Sequence, residues 1–413
     1  MFPKSMLLQV LIKGVGDTST VPVRYELMRG YTNYFSTGYF GGKGRNSFMK
    51  WYPFGYDFGN AEMKGVTVLN ARHTSCSIPA AFAKVDINAM RNLGVKMDES
   101  NTHIIQVQGE AMAYAVGELA LQQAVDVYHG RGDIQRNASR YSLRGLLAMA
   151  ALLIPDTEFG LYVVTGLPAE TYIKNMALRN TIKAALDGTH IFTTDNGSTF
   201  RRVTVEVATV VMEGAGALIS YGDKSMSRTA ESAVIDIGGR TTDLYVARGQ
   251  IPVTDYCKGK PLGVESATQM LMDTFESTYD RVLSLLEARE IMHAYASNGH
   301  LNYPDIAVYG KTVSAYELEQ LATEAITQVG SEIVSFIAAA WRQSDRGAVA
   351  ASFKPVLHIG GGFYYFHNVL RQRIPHLSRP DDPLHANALG YCSLAGRLLI
   401  RKVQAQVSLI KAN

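Results

Sequence analysis

Cysteine is scarce in this chain: Cys76, Cys257 and Cys392 are odd in number and far apart. That pattern excludes a disulfide framework and a cysteine-based metal site, and a reducing cytoplasm is the simple expectation. Long apolar runs are lacking too. None reaches the ~20 residues needed to cross a bilayer, and the first residues carry no signal-peptide core. An excess of one charge is also missing, since a net of +3 is too small to argue for nucleic acid as a direct partner. A hydrophobic content of 47% is that of a globular protein. At 413 residues the chain outgrows a single core, so two or more domains are expected.

Three glycine-containing turns stand out against this background. The clearest runs from Ala233 to Ala247: an apolar strand ending at Asp236, a turn of Gly238, Gly239, Arg240, Thr241 and Thr242, then a second strand opening at Asp243. Bare N–H groups and hydroxyls in such a turn can wrap a phosphate. A carboxylate at the end of the leading strand can hold a magnesium ion or a water against it. Upstream, Phe54 to Val68 repeats the design, with Asp57 ending a strand, Gly59 and Asn60 turning, and Lys64 on the return. From there an ammonium can reach back towards a phosphate. Downstream, Pro355 to Tyr365 carries Gly360, Gly361 and Gly362 after a buried strand, where a flat base or ribose can approach the main chain. Each turn alone is equally what a tight turn looks like; it is the set of three, in this order, that carries weight.

Three such elements in this order resemble the superfamily of actin, the heat-shock chaperone ATPases and the sugar kinases. Further segments narrow the resemblance to the plasmid-segregating bacterial actins of the ParM or StbA type. They are Leu161 to Tyr172 with its Thr-Gly-Leu-Pro, Gly109 to Ala120, Val203 to Ala217, Arg240 within the phosphate turn, and the pattern of Pro383, Asn387 and Gly390. The similarity spans about residues 54 to 400. It implies an α/β, actin-like fold of two related domains closing over a nucleotide. Asp57, Gly59, Asn60, Lys64 and the turn Gly238 to Thr242 would then hold the phosphates of ATP, or of GTP. Asp57 and Asp236 would accept Mg²⁺, through water, and Asp236 would share the catalytic work with Glu213, which resembles the family's water-orienting glutamate. Gly360 to Gly362 would face the adenosine, with Glu287 and Arg289 near the base. Asp243 would be structural.

Patterning along the chain is alternating α and β. It predicts a basic, aromatic-rich extension over residues 1–50, a first domain over 51–231, and a second over 232–400 with a helical insertion at 265–354. A helical tail follows at 401–413. In the extension, Leu7 to Ile12 and Val21 to Leu27 read as strands and Gly38 to Asn46 as a loop. Helices are expected over Glu110 to Tyr128, Leu146 to Leu153, Ala169 to Leu186, Ser284 to Ala296 and Tyr316 to Trp341. The last carries Leu318, Leu321, Ala325, Ile326, Val329, Ile333, Val334 and Ile337 at helical spacing. Arg397 to Asn413 forms a basic amphipathic helix, expected to dock on the second domain rather than on a membrane.

One fold in this superfamily serves filaments, kinases and chaperones, so the fold alone does not decide function. A peptide-binding chaperone needs a further β-rich domain after the ATPase, and no sugar-binding cluster marks a small-molecule kinase. The resemblance therefore implies an ATPase whose hydrolysis times a head-to-tail filament, of one strand or several. Its partners would be copies of itself and a DNA-binding adaptor, for plasmid or DNA segregation. The alternatives are a kinase of the same superfamily and a membrane-tethered actin-like cytoskeletal protein.

Overall fold

A computed structural model describes residues 39–40, 49–88, 103–123, 126–129, 135–194, 197, 199–222, 231–249, 251–298, 303–341 and 350–412. The chain divides into two compact units. The first gathers Met1–Gly166, Met176–Val211 and Ala388–Asn413; the second gathers Leu167–Asn175 and Met212–Asn387.

The first unit is built on strands β1 (Tyr39–Phe40), β2 (Met49–Phe58), β3 (Glu62–Leu69), β4 (Arg72–Pro79), β5 (Phe82–Val85), β6 (His103–Val107), β7 (Ala113–Val116), β8 (Glu158–Leu167), β9 (Gly188–Thr194) and β10 (Thr199–Met212). They form one sheet in the order β4-β3-β2-β8-β10-β9-β6-β7-β5, with β1 paired to β2. β2 and β3 make an antiparallel hairpin, and β8 lies parallel to β2. From Tyr52 to Phe58 every residue of β2 is buried, so the strand reads as a continuous apolar run rather than an alternation. The helix Arg140–Leu153 supplies much of the adjoining core through Leu143, Leu146, Leu147 and Met149. Its N-cap is Ser139, whose Oγ accepts the Ser142 N–H.

The last helix, Ala386–Ala412, seals this unit. Ala388 and Cys392 pack with Val66 and Val68, while Tyr391 and Ala395 pack with Val164. The approach is so close at Gly55 that a Cβ there would lie 2.0 Å from the Ala388 carbonyl oxygen and 2.6 Å from the Cys392 nitrogen. Only glycine lets the helix backbone lie against β2 in this way.

The second unit holds β11 (Glu231–Ile237), β12 (Thr242–Arg248), β13 (Ile251–Pro252), β14 (Lys258–Lys260), β15 (Ile306–Val308), β16 (Lys311–Val313), β17 (Val356–Ile359) and β18 (Leu377–Ser378). Its main sheet runs β13-β12-β11-β17-β18, with β14 on β12. Here again a hairpin, β11–β12, is joined by a parallel strand, β17, so both units share one plan. Helices Val264–Tyr279, Leu285–Asn298 and Ala315–Ala340 build the larger part of its core. The stripe expected on the last of these is buried, with Leu321 only partly so.

Several elements depart from the sequence expectation, each for a tertiary reason. The run Glu110 to Tyr128 is not one helix. Ala113–Val116 is a fully buried strand between β5 and β6, Gly117 turns the chain at φ +77°, and among the described residues of the run only Glu118–Gln123 is helical. Ala169 to Leu186 breaks at Asn175, where the chain leaves the second unit for the first. Within the block read as helical, β15 and β16 form a hairpin through Tyr309 and Gly310, both at positive φ as a tight two-residue turn demands. The second unit takes in Leu167–Asn175 and then runs from Met212 rather than from near 232, because the helix Ala215–Tyr221 packs against Val234 and Leu357. The C-terminal helix is continuous from Ala386 and docks on the first unit, not the second; Lys402 pairs with Glu206 there. Of the N-terminal extension only Tyr39–Phe40 and Met49–Lys50 are described, paired as antiparallel strands; the expected strands at 7–12 and 21–27 lie outside the described residues. Among the described residues no helix is long and apolar enough to cross a membrane.

Replacing Gly55 by alanine should cost about 2–3 kcal/mol through overpacking against the last helix. Chemical denaturation would reveal it as a lower midpoint with an unchanged slope; an unaltered midpoint would mean the helix backbone yields.

Candidate active site

In the first unit Asp57 and Lys64 are directly opposed across the β2–β3 hairpin, and the Lys64 ammonium lies 3.6 Å from Asp57 Oδ2. Both side chains are largely buried. Removing one would strand the other's charge in a low-dielectric setting. Gly59 and Asn60 occupy the connection between the strands, as the sequence pattern requires. Behind the turn, the buried Arg136 guanidinium sits over the Phe58 ring at 5.4 Å. Nothing local in the sequence marks that arginine as buried.

In the second unit the Gly238 N–H donates to the Thr241 carbonyl and closes the turn at 2.8 Å. The Val264 and Glu265 N–H groups, at the start of their helix, donate to the Gly238 and Gly239 carbonyls. Thr242 Oγ1 donates to the Leu262 carbonyl. These bonds occupy the turn's acceptors. The N–H groups of Gly239, Arg240 and Thr241 take no protein acceptor among the described residues, which leaves a run of donors suited to an anion.

Asp236 and Asp243 are cross-strand partners, so their carboxylates share one face of the sheet. Like charges in that position repel unless a cation or hydrogen-bond donors intervene. One donor is Asn387, whose Nδ2 gives a 2.8 Å bond to Asp236 Oδ2. The same side chain accepts the Gly214 N–H at Oδ1, 3.0 Å away. Glu213, the preceding residue, follows β10 and donates its own N–H to the Leu167 carbonyl at 2.8 Å.

The glycine triplet is shaped by this corner as much as by any ligand. Gly360 has φ +84°, and a Cβ there would fall 2.5 Å from Asp236 Oδ1 and 2.4 Å from the Ile237 carbonyl oxygen. At Gly362 it would meet Ile237 Cγ2 at 2.3 Å. Only Gly361 has an open face, with nothing nearer than Leu384 at 3.9 Å. Two of the three glycines thus make room for the end of β11.

Arg240 and Arg289 converge on Glu265, at 3.5 and 3.2 Å, one on each carboxylate oxygen. Beside them opens a groove of about 490 Å³ lined by Arg240, Glu265, Ser266, Gln269 and Asp273 among others. Glu265 went unnoticed in the sequence, since only the fold places it between two arginines. Glu287 is not in this lining. Its carboxylate accepts the Ser284 N–H and pairs with Arg281 at 2.6 Å, capping its own helix. The backbone bond to Ser284 is the main reason its pKa lies below the usual carboxylate value.

Residues 55–216 match the family model "Actin like proteins N terminal domain". The chain has the actin-like fold. An archaeal actin homologue superposes with a TM-score of 0.65 at 19% identity, covering 83% of this chain and 99% of its own. The 15-stranded ParM filament from Clostridium botulinum gives 0.65 at 20%, covering 84% and 99%. ParM with ATP from Bacillus thuringiensis gives 0.60 at 13%, covering 86% and 99%. No curated protein matches the sequence. At these identities the structural likeness carries the fold.

One residue beside the glycine triplet has a consequence for stability. His358, on β17, is fully buried, and its Nδ1 lies 3.3 Å from that of His367. Burial first, and the second imidazole after it, push its pKa down from 6.5 to about 3. The folded protein therefore holds His358 neutral over a range where the unfolded chain binds a proton. Stability present above the unfolded value is lost as pH falls from 6.5 towards 3. Stability measured by denaturation should fall by up to about 1.4 kcal/mol for each pH unit from this group as pH drops below about 6.5. His358→Leu should flatten that slope; an equal slope in the variant would assign it elsewhere.

Proposed function

We propose that this actin-like protein is an ATPase that assembles into filaments with ATP and disassembles after hydrolysis. The observation that carries the proposal is the second hairpin. Asp236 and Asp243 are opposed on one face, and beside them the N–H groups of Gly239, Arg240 and Thr241 are left for an anion. Paired carboxylates next to anion-binding amides suit a nucleotide phosphate accompanied by Mg²⁺. The proposed phosphate binders are Gly238 to Thr242 in the second unit and Gly59, Asn60 and Lys64 in the first. Asp236 and Asp57 would hold the metal through its waters, and bound Mg²⁺ would neutralise charge on the phosphates. Glu213 would hold a water by its carboxylate and accept a proton from it. Gly361 and Arg289 would lie towards the nucleoside, while Glu287 is given over to its helix cap.

Self-association into a filament is supported by the likeness to a ParM filament structure, and nucleotide binding by the likeness to ParM with ATP. Plasmid or DNA segregation through an adaptor, in the cytoplasm, is the proposed use. GTP in place of ATP is a matter for the same assay.

Light scattering and electron microscopy with ATP, GTP, ADP or no nucleotide, each with Mg²⁺, test the reading directly. Filaments should form with ATP and decay as phosphate is released. Glu213→Ala should slow hydrolysis by about a hundredfold or more and prolong the filaments. A protein that hydrolyses ATP yet stays monomeric in every nucleotide state would overturn the filament proposal.

A further inference from the structure

Asn387 occupies a position that hydrolysis chemistry can use. The residue is 4% exposed, and its side-chain amide is spent in both directions, on Gly214 N–H and on Asp236 Oδ2. The orientation of the amide is dictated. A backbone N–H only donates, so the carbonyl oxygen must face Gly214, which turns the NH₂ towards the carboxylate. Flipping it would set donor against donor and oxygen against oxygen.

The second unit consists of two segments with four ends, and three of those ends meet here. Leu167 accepts the Glu213 N–H, Glu213 follows the end residue Met212, and Asn387 is the last residue of the unit. On the other side Gly360 leaves room for Asp236 Oδ1 because it has no Cβ. Asp236 is thus set by Asn387 at one oxygen and given space at the other.

We propose that Asn387 is a positioning residue that holds the Asp236 carboxylate and the Glu213–Gly214 segment at a fixed separation. This rests on the ATPase reading, in which Asp236 serves the metal and Glu213 the attacking water. In that role Asn387 acts through its bonds to Asp236 and Gly214. Its effect is to keep the two acting groups in register, which raises turnover more than it raises affinity.

The test uses the full-length protein and two variants. Asn387→Asp keeps the volume and the acceptor for Gly214 but replaces the donor with an oxygen that opposes Asp236. The exchange Asp236→Asn with Asn387→Asp restores a donor–acceptor match with the polarity reversed. In the single variant kcat for ATP should fall about 10- to 100-fold, as for the loss of a supporting hydrogen bond, with nucleotide Kd within about threefold. Hydrogen exchange over residues 211–218, measured without nucleotide, should accelerate in the single variant and return towards wild type in the exchange. Turnover should stay low in the exchange, since Asp236 is gone.

Equal losses in kcat and affinity, or unchanged exchange over 211–218 in the single variant, would overturn the positioning role. A wild-type protein that hydrolyses no ATP would sink the functional reading alone. The exchange measurement still decides whether Asn387 holds the two elements together.

Discussion

The constraint that organises both units is an acid drawn out of water at the end of a hairpin's leading strand. Asp57 is buried, and Asp236 is partly buried between the fully buried Ile235 and Ile237. A carboxylate in that setting must be met by charge or by hydrogen bonds. The units answer differently. Across from Asp57 stands a lysine, so the first hairpin carries its own counter-charge. Across from Asp236 stands another acid, and Asn387 adds a donor without adding charge. The second hairpin therefore gains most from a cation brought from outside, and the glycine turn beside it favours an anion. A nucleotide with its metal brings both at once.

The repeated plan makes the same point at the level of topology. A hairpin and a parallel third strand form the centre of each sheet, β2–β3 with β8 and β11–β12 with β17. What surrounds those centres is different: a broad sheet in the first unit, a block of packed helices in the second. The shared part carries the acids and the turns, and the divergent parts carry the bulk.

That division explains what could be read from the residues. The strand–acid–glycine turns are local, and Gly238 to Thr242, Asp57 and Lys64 sit where their spacing put them. The helix around Ile326 and Ile333 is long and periodic, so its face was legible as well. Elements defined by distant partners were not. Ala113–Val116 is apolar on every side because sheet neighbours flank it, and a helical pattern imitates that. The break at Asn175 has no breaker residue; the fold imposes it. Gly360 and Gly362 looked like a platform for a ligand, yet much of their reason is the end of β11 pressing against them. Asn387 stood out only as part of a pattern, and its two hydrogen-bond partners lie 173 and 151 residues away in the chain.

The placement of the last helix in the first unit has a consequence for how the molecule is made. Synthesis delivers β2 early and its lid last. Until Ala388 and Cys392 leave the ribosome, the face of β2 at Gly55 is uncovered and Val66, Val68 and Val164 lack their packing partners. The second unit, made in between, also waits for its final residue, Asn387. Vectorial folding, in which an N-terminal domain matures while the rest is still being made, is closed to this chain. Its first unit is finished only once the helix Ala386–Ala412 has been made, and a chain cut short before that helix keeps neither unit complete.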